Sequence, residues 1–135
     1  MRILALDYGS ARCGCAVSDP TGTLATPIEP VLRPATRKGF NRLLGLVRER
    51  GVKRVVVGLP VGLSGLDTPQ TRECREFAAR LHGSLGGRVP VDLYDERFTT
   101  AIAARSGSTD TAEDSRAAAV LLEDYLARHG HEVGA

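Results

Sequence analysis

Along the chain the hydrophobic pattern changes period. Ile3-Leu4-Ala5-Leu6 is a continuous apolar run ending at Asp7, and Arg12–Ser18 alternates small and apolar side chains, so both read as strands. Asp19-Pro20-Thr21-Gly22 is a turn signal, after which Thr23–Leu32 returns as a third strand that Pro27 and Pro30 push toward a sheet edge. Three strands joined by short turns predict an antiparallel meander. From Thr36, a suitable N-cap, Phe40, Leu43, Leu44 and Val47 mark one face of a helix that Gly51 closes. Arg54–Pro60 is a short apolar run, as expected of a strand covered on both faces. Asp67 or Thr68 caps a second helix with Pro69 just inside, and its stripe is Cys74, Phe77, Ala78, Leu81 and Leu85 before Gly86-Gly87. Val89–Glu96 is a fifth strand. A short helical piece and a polar loop follow. The last helix runs from about Ala112 to His129, with Ala118, Leu121, Leu122 and Tyr125 inward and Gly130 as its stop. This order predicts one α/β domain over residues 1–135, a mixed five-stranded sheet flanked by helices, with residues from about 130 onward as a disordered tail.

Length and composition fit that reading. The 135 residues suffice for one core, and 42% apolar with 25% charged residues is ordinary globular composition. The apolar opening run is too short for a secretion signal and no stretch reaches the roughly 20 residues of a membrane span, so a cytoplasmic protein is expected. Cys13, Cys15 and Cys74 make neither an even disulfide set nor a C-x-x-C pair, and read as reduced core cysteines. The net charge of +2 is unevenly spread: residues 1–60 hold ten Lys/Arg against four Asp/Glu, and residues 91–135 hold four against nine. Sixteen of the eighteen basic residues are arginine, which suits bidentate phosphate contact. A basic half beside an acidic half is compatible with nucleic acid meeting a metal site.

Three carboxylates carry the candidate chemistry. Asp7 ends the first strand and Glu96 ends the fifth, so with those strands parallel both lie at the rim where α/β sheets hold ligands. Asp114 precedes Ala118, Leu121, Leu122 and Tyr125 by 4, 7, 8 and 11 positions, which puts it on the inward stripe of the last helix. Each acid also has a plain structural reading: Asp7 as an Asx turn, Glu96 as a partner of Arg97 or a helix cap, Asp114 as a favourable charge at a helix start. Together they favour a hard divalent cation, because buried carboxylates need an offsetting charge and no lysine stands in these stretches. Two such ions activate water and stabilise a leaving oxygen in phosphodiester hydrolysis.

The glycine-rich loop "GLPVGLSGLDTPQ" leads into a helix N-terminus and can face a phosphate, but it matches neither G-x-x-x-x-G-K-[ST] nor G-x-G-x-x-G. Arg12 and Arg97 are candidate phosphate ligands or surface ion-pair partners. His82, His129 and His131 lie away from the acids and read as solvated.

Taken together, "ILALDYGSARCGCAVSD", "VVVGLPVGLSGLDTPQTRECREFAARL", "VDLYDERFTT" and "DSRAAAVLLEDYL" resemble the YqgF (RuvX) family across residues 2 to about 127. These are bacterial proteins of RNase H-like fold, for which Holliday junction resolution and maturation of the 5′ end of pre-16S rRNA have been proposed. The resemblance implies that Asp7, Glu96 and Asp114 are the metal-binding catalytic acids, with Mg²⁺ or Mn²⁺, two ions, as cofactor. It further implies a nucleic-acid-contacting set of Gly9, Ser10, Arg12, Gly62, Ser64, Gly65, Arg97, Thr99 and Thr100, with Gly9 leaving room for a phosphate near Asp7. Branched DNA or an rRNA precursor is the implied partner, and a two-fold homodimer the assembly that symmetric junction cutting needs. The chain departs from the family pattern twice. Glu96 and Asp114 are only eighteen positions apart, across "SGSTDTAED", acidic where the family is basic, which leaves Asp110 and Glu113 as alternative third ligands although the helical register favours Asp114. Gly62 stands where an asparagine is usual.

The leading expectation is therefore a divalent-metal-dependent nuclease acting on structured nucleic acid. A non-catalytic nucleic-acid module of the same fold is the alternative. An actin-like ATPase, which also begins with D-x-G at a strand end, needs a second domain that 135 residues cannot supply.

Overall fold

A computed structural model describes residues 1–60, 65–95 and 111–133, with side chains in the last helix described from 115 to 129. Five strands form one sheet in the order β3-β2-β1-β4-β5. They are β1 (Ile3–Asp7), β2 (Arg12–Ser18), β3 (Ala25–Leu32), β4 (Arg54–Leu59) and β5 (Val91–Asp95). The meander is antiparallel, β1 with β2 and β2 with β3, while β1–β4 and β4–β5 are parallel. This is the expected mixed sheet of an RNase H-like fold. Both prolines of β3 fall on an edge strand, where a missing N–H leaves no inner ladder broken. A register shift between Cys13 and Cys15 lets β3 pass Glu29-Pro30 without losing its pairing.

Helix α1 (Arg37–Glu49) starts at Thr36, whose side chain accepts from the Gly39 N–H, and Gly51 follows it at φ +63°. Helix α2 (Pro69–Ser84) starts on a reciprocal capping box: Thr68 and Thr71 each accept from the other's backbone N–H. Of the two caps the sequence allowed, Thr68 is the one used. Helix α3 (Thr111–Val133) continues past the expected stop at Gly130, across non-helical backbone angles at His129.

Strand alternation divides the core into two layers. Leu4, Leu6, Cys13, Cys15, Val55 and Val57 face α1 and α2, where Phe40, Leu43, Phe77 and Leu81 cover them. Ile3, Ala5, Ala16 and Val56 face α3, where Ala118, Leu121, Leu122 and Tyr125 cover them. The stripe read from the sequence on α3 is thus the face that packs. All three cysteines are reduced and fully buried, as core residues.

Candidate nuclease active site

The site grows from the parallel pairing of β1, β4 and β5, which sets their C-terminal ends at one rim. Asp7 is the last residue of β1, and only 5% of it is exposed. It follows Ile3 and Ala5 by even steps, so it belongs to the α3 face of the sheet. Its antiparallel partner is Gly14. On the other side, Leu6 pairs with Val57, so the register sets Gly58 beside Asp7, and Gly58 pairs in turn with Tyr94. The row across the sheet is therefore Gly14, Asp7, Gly58, Tyr94: a carboxylate between two residues that carry no side chain. Neither cross-strand neighbour of this carboxylate carries a side chain. A carboxylate oxygen at this rim is a donor that suits a hard cation.

The first turn of α3 is fixed over the same rim by Ser115, which is 2% exposed. The Cys15 N–H donates to its Oγ at 3.5 Å, and its hydroxyl donates to the Ile28 carbonyl. Cys15 is the β2 partner of Leu6, one step from the Asp7–Gly14 pair. The backbone of position 114 thus stands next to the residue that ties α3 to this part of the sheet. Ser115 was not singled out by sequence reasoning. The sequence carries a signal for it all the same: Ser115 precedes Ala118, Leu122 and Leu126 by 3, 7 and 11 positions, the spacing of one helix face.

Gly9, Ser10 and Arg12 lie in the turn that follows Asp7, with Ser10 exposed and Arg12 half-buried. A Cβ on Gly9 would stand 2.7 Å from the Arg12 carbonyl oxygen, so the turn itself demands glycine here. Gly65 sits at φ +83° in the loop entering α2. Glu96, Arg97, Thr99, Thr100, Gly62, Ser64 and Asp110 lie outside the described residues, as do the side chains of Glu113 and Asp114. Among the described residues no three His, Cys, Asp or Glu side chains converge as a metal-binding group.

Behind Asp7, on the opposite face, Tyr8 stacks on Phe77 at 4.4 Å and donates to Glu73 at 2.9 Å. Burial, then the bonded Glu73 carboxylate, push the Tyr8 hydroxyl above its ordinary pKa. The Cys13 thiol is pushed up by its hydrogen-bonded neighbour Cys15 and by burial. Along β5, Arg54 pairs with Asp92 at 2.8 Å and donates to Tyr125 at 3.1 Å. Tyr94 donates to Asp124 at 2.5 Å, and burial and this bond push its pKa up to about 12. His129 stacks on Tyr125 at 4.6 Å, which corrects its reading as a solvated histidine: the helix brings it one turn after an aromatic that the sheet anchors.

The family model for RuvX, described as Holliday junction resolvase, matches residues 1–128. A Koribacter versatilis protein named provisionally as a pre-16S rRNA nuclease is 38% identical over 137 residues, covering 96% of this chain and 88% of that protein. One from Maridesulfovibrio salexigens with the same provisional name is 36% identical over 136 residues, covering 95% and 99%. The solved structure of T. thermophilus RuvC in complex with a Holliday junction substrate aligns over 96% of this chain and 97% of that chain, with a TM-score of 0.59 and 17% identity. A second T. thermophilus RuvC structure gives 0.56 at 15% identity. These two share the fold.

Proposed function

This chain belongs to the RuvX family of nucleases, and on that premise we propose that it hydrolyses phosphodiester bonds in structured nucleic acid with Asp7, Glu96 and Asp114 as its metal-binding catalytic acids. The observation that carries the reading is the row Gly14, Asp7, Gly58: a nearly buried carboxylate at the C-terminal rim, flanked by two residues without side chains. The three acids would hold Mg²⁺ or Mn²⁺, two ions, which when bound lower the pKa of a water and stabilise charge on the leaving oxygen. The protein's own share is positional. Strand β1 fixes the Asp7 backbone between two ladders and Ser115 holds the start of α3 over β2; Gly9, Ser10 and Arg12, in the turn after Asp7, are the residues that would meet a phosphate there. Gly62, Ser64, Gly65, Arg97, Thr99 and Thr100 complete the proposed phosphate-contacting set. The substrate is a four-way DNA junction or an rRNA precursor, and junction cutting requires a two-fold dimer.

The test incubates the protein with Mg²⁺ or Mn²⁺ and labelled four-way junctions, single-stranded DNA and RNA. Asp7→Asn keeps the size of the side chain and removes its charge. Several kcal/mol of metal-borne stabilisation are then lost, so cleavage should fall at least about 100-fold while the circular dichroism melt is retained. Binding without cleavage under either metal would establish the non-catalytic reading instead.

A further inference from the structure

The junction between β3 and α1 forms a cationic corner at the same rim as Asp7. From Pro30 to Arg48 the chain has five basic residues, Arg33, Arg37, Lys38, Arg42 and Arg48, and no acidic one. The first of these stands beside the candidate site: the Arg33 N–H donates to the Ala11 carbonyl at 2.9 Å, and Ala11 belongs to the turn that follows Asp7. Arg33, Arg37 and Lys38 are all exposed.

The corner is rigidly built. Arg33 is the one non-glycine residue with positive φ among the described residues, at φ +46°. Its carbonyl accepts from the Thr36 N–H at 3.0 Å and from the Thr36 hydroxyl at 2.7 Å. A Cβ on Gly39 would lie 2.2 Å from that same carbonyl oxygen, so α1 and the end of β3 meet with no side chain between them. Arg80 of α2 donates to the Ala35 carbonyl at 2.8 Å, with its guanidinium 3.9 Å over the Phe40 ring. Four backbone constraints thus fix the segment that displays the three cations.

The charges are costly where they stand. Cations are disfavoured in the first turn of a helix, where Arg37 and Lys38 stand, and α1 has no acidic residue in that turn to compensate. Arg42, farther along, pairs with Glu49 at 3.7 Å. Arg33, Arg37 and Lys38 form a fixed, exposed positive surface that a polyanion complements.

We propose that Arg33, Arg37 and Lys38 bind backbone phosphates of the nucleic-acid strand flanking the cut, and so position it across the rim next to Asp7. This rests on the nuclease reading for its substrate, and phosphodiester backbone is the chemistry recognised, in DNA or RNA. Three phosphate contacts carry a salt dependence of about 0.9 per contact on duplex DNA and about 0.7 on single strands.

The experiment measures affinity in chelator, by fluorescence anisotropy, for a labelled four-way DNA junction and a labelled single-stranded RNA across a salt series. The variant Arg33→Gly/Arg37→Gln/Lys38→Gln suits the positive φ at position 33. It should lower affinity at least about tenfold at low salt, and flatten the slope of log affinity against log salt by about two to three. Arg48→Ala/Lys53→Ala, one residue in the last turn of α1 and one between α1 and β4, should leave both quantities unchanged. If the triple variant melts early, Arg37→Gln/Lys38→Gln alone should flatten the slope by about one to two. An effect on one probe only identifies its backbone as the partner. An unchanged slope on both probes, in a wild-type protein that cleaves, overturns the inference and leaves the nuclease reading intact. A wild-type protein that binds neither probe also overturns it. Corner-dependent binding without cleavage under Mg²⁺ or Mn²⁺ upholds the phosphate contacts of the corner and overturns their place beside a cut, together with the nuclease reading.

Discussion

Asp7 combines two features that are separate in the chain: a strand end built of apolar residues, and glycine partners on both neighbouring strands. The strand end was legible from Ile3-Leu4-Ala5-Leu6-Asp7 alone. The glycine partners were not, because Gly14 and Gly58 become neighbours of Asp7 only through register. Gly39 shows the same division. Its helix position argues for replacement, since alanine is favoured over glycine by about 1 kcal/mol in a helix interior. The close approach to the Arg33 carbonyl argues against it more strongly, because overpacking costs about 1–3 kcal/mol and the obstacle is backbone. Gly39→Ala should therefore lose about 1–2 kcal/mol of stability in a urea titration, and an unchanged midpoint would show that the corner gives way.

Among the elements, β1, β2 and the two caps of α1 and α2 follow from local signals, and each appears where period and capping chemistry put it. The last helix differs. Its inward stripe was readable, but the way its start is tied to the sheet depends on Ser115 reaching backbone groups of β2 and β3, 100 and 87 residues away in the chain. Ser115→Ala leaves the buried Cys15 N–H and the half-buried Ile28 carbonyl short of a partner, which costs about 1–3 kcal/mol. We expect a lowered melting temperature together with a fall in cleavage larger than the lost folded fraction, since α3 carries position 114 on its first turns. Cleavage that merely tracks the folded fraction would assign Ser115 a packing role alone.

For the whole molecule, two tyrosines report on the two layers beside the sheet: Tyr8 toward α2, Tyr94 toward α3. Both hydroxyls are held above their ordinary pKa, that of Tyr94 at about 12. The folded state therefore favours the protonated phenols. The stabilisation is full below the unfolded value of about 10 and is lost as pH rises through the folded values. Stability from chemical denaturation should begin to decline above about pH 8.5, where the unfolded Cys13 thiol ionises while the buried one stays protonated, and fall more steeply above about pH 10. Tyr8→Phe/Tyr94→Phe should flatten that steeper fall, and an identical fall in the variant would place its cause elsewhere. No helix among the described residues is long and apolar enough to cross a membrane, in keeping with the apolar pattern of the sequence.

The sequence by itself determined the alternation of strand and helix, the meander, the apolar stripe of α3 and the candidacy of Asp7, because period, caps and turns are local properties of the chain. It also carried the family, through motifs spread from Ile3 to Leu126, within the residues 1–128 that the family model matches. Tertiary structure alone decided which residues stand beside Asp7, what anchors α3 over the rim, and that Arg33, Arg37 and Lys38 share that rim. Those facts depend on strand register and on backbone contacts between distant segments, and neither leaves a periodic mark in the order of side chains.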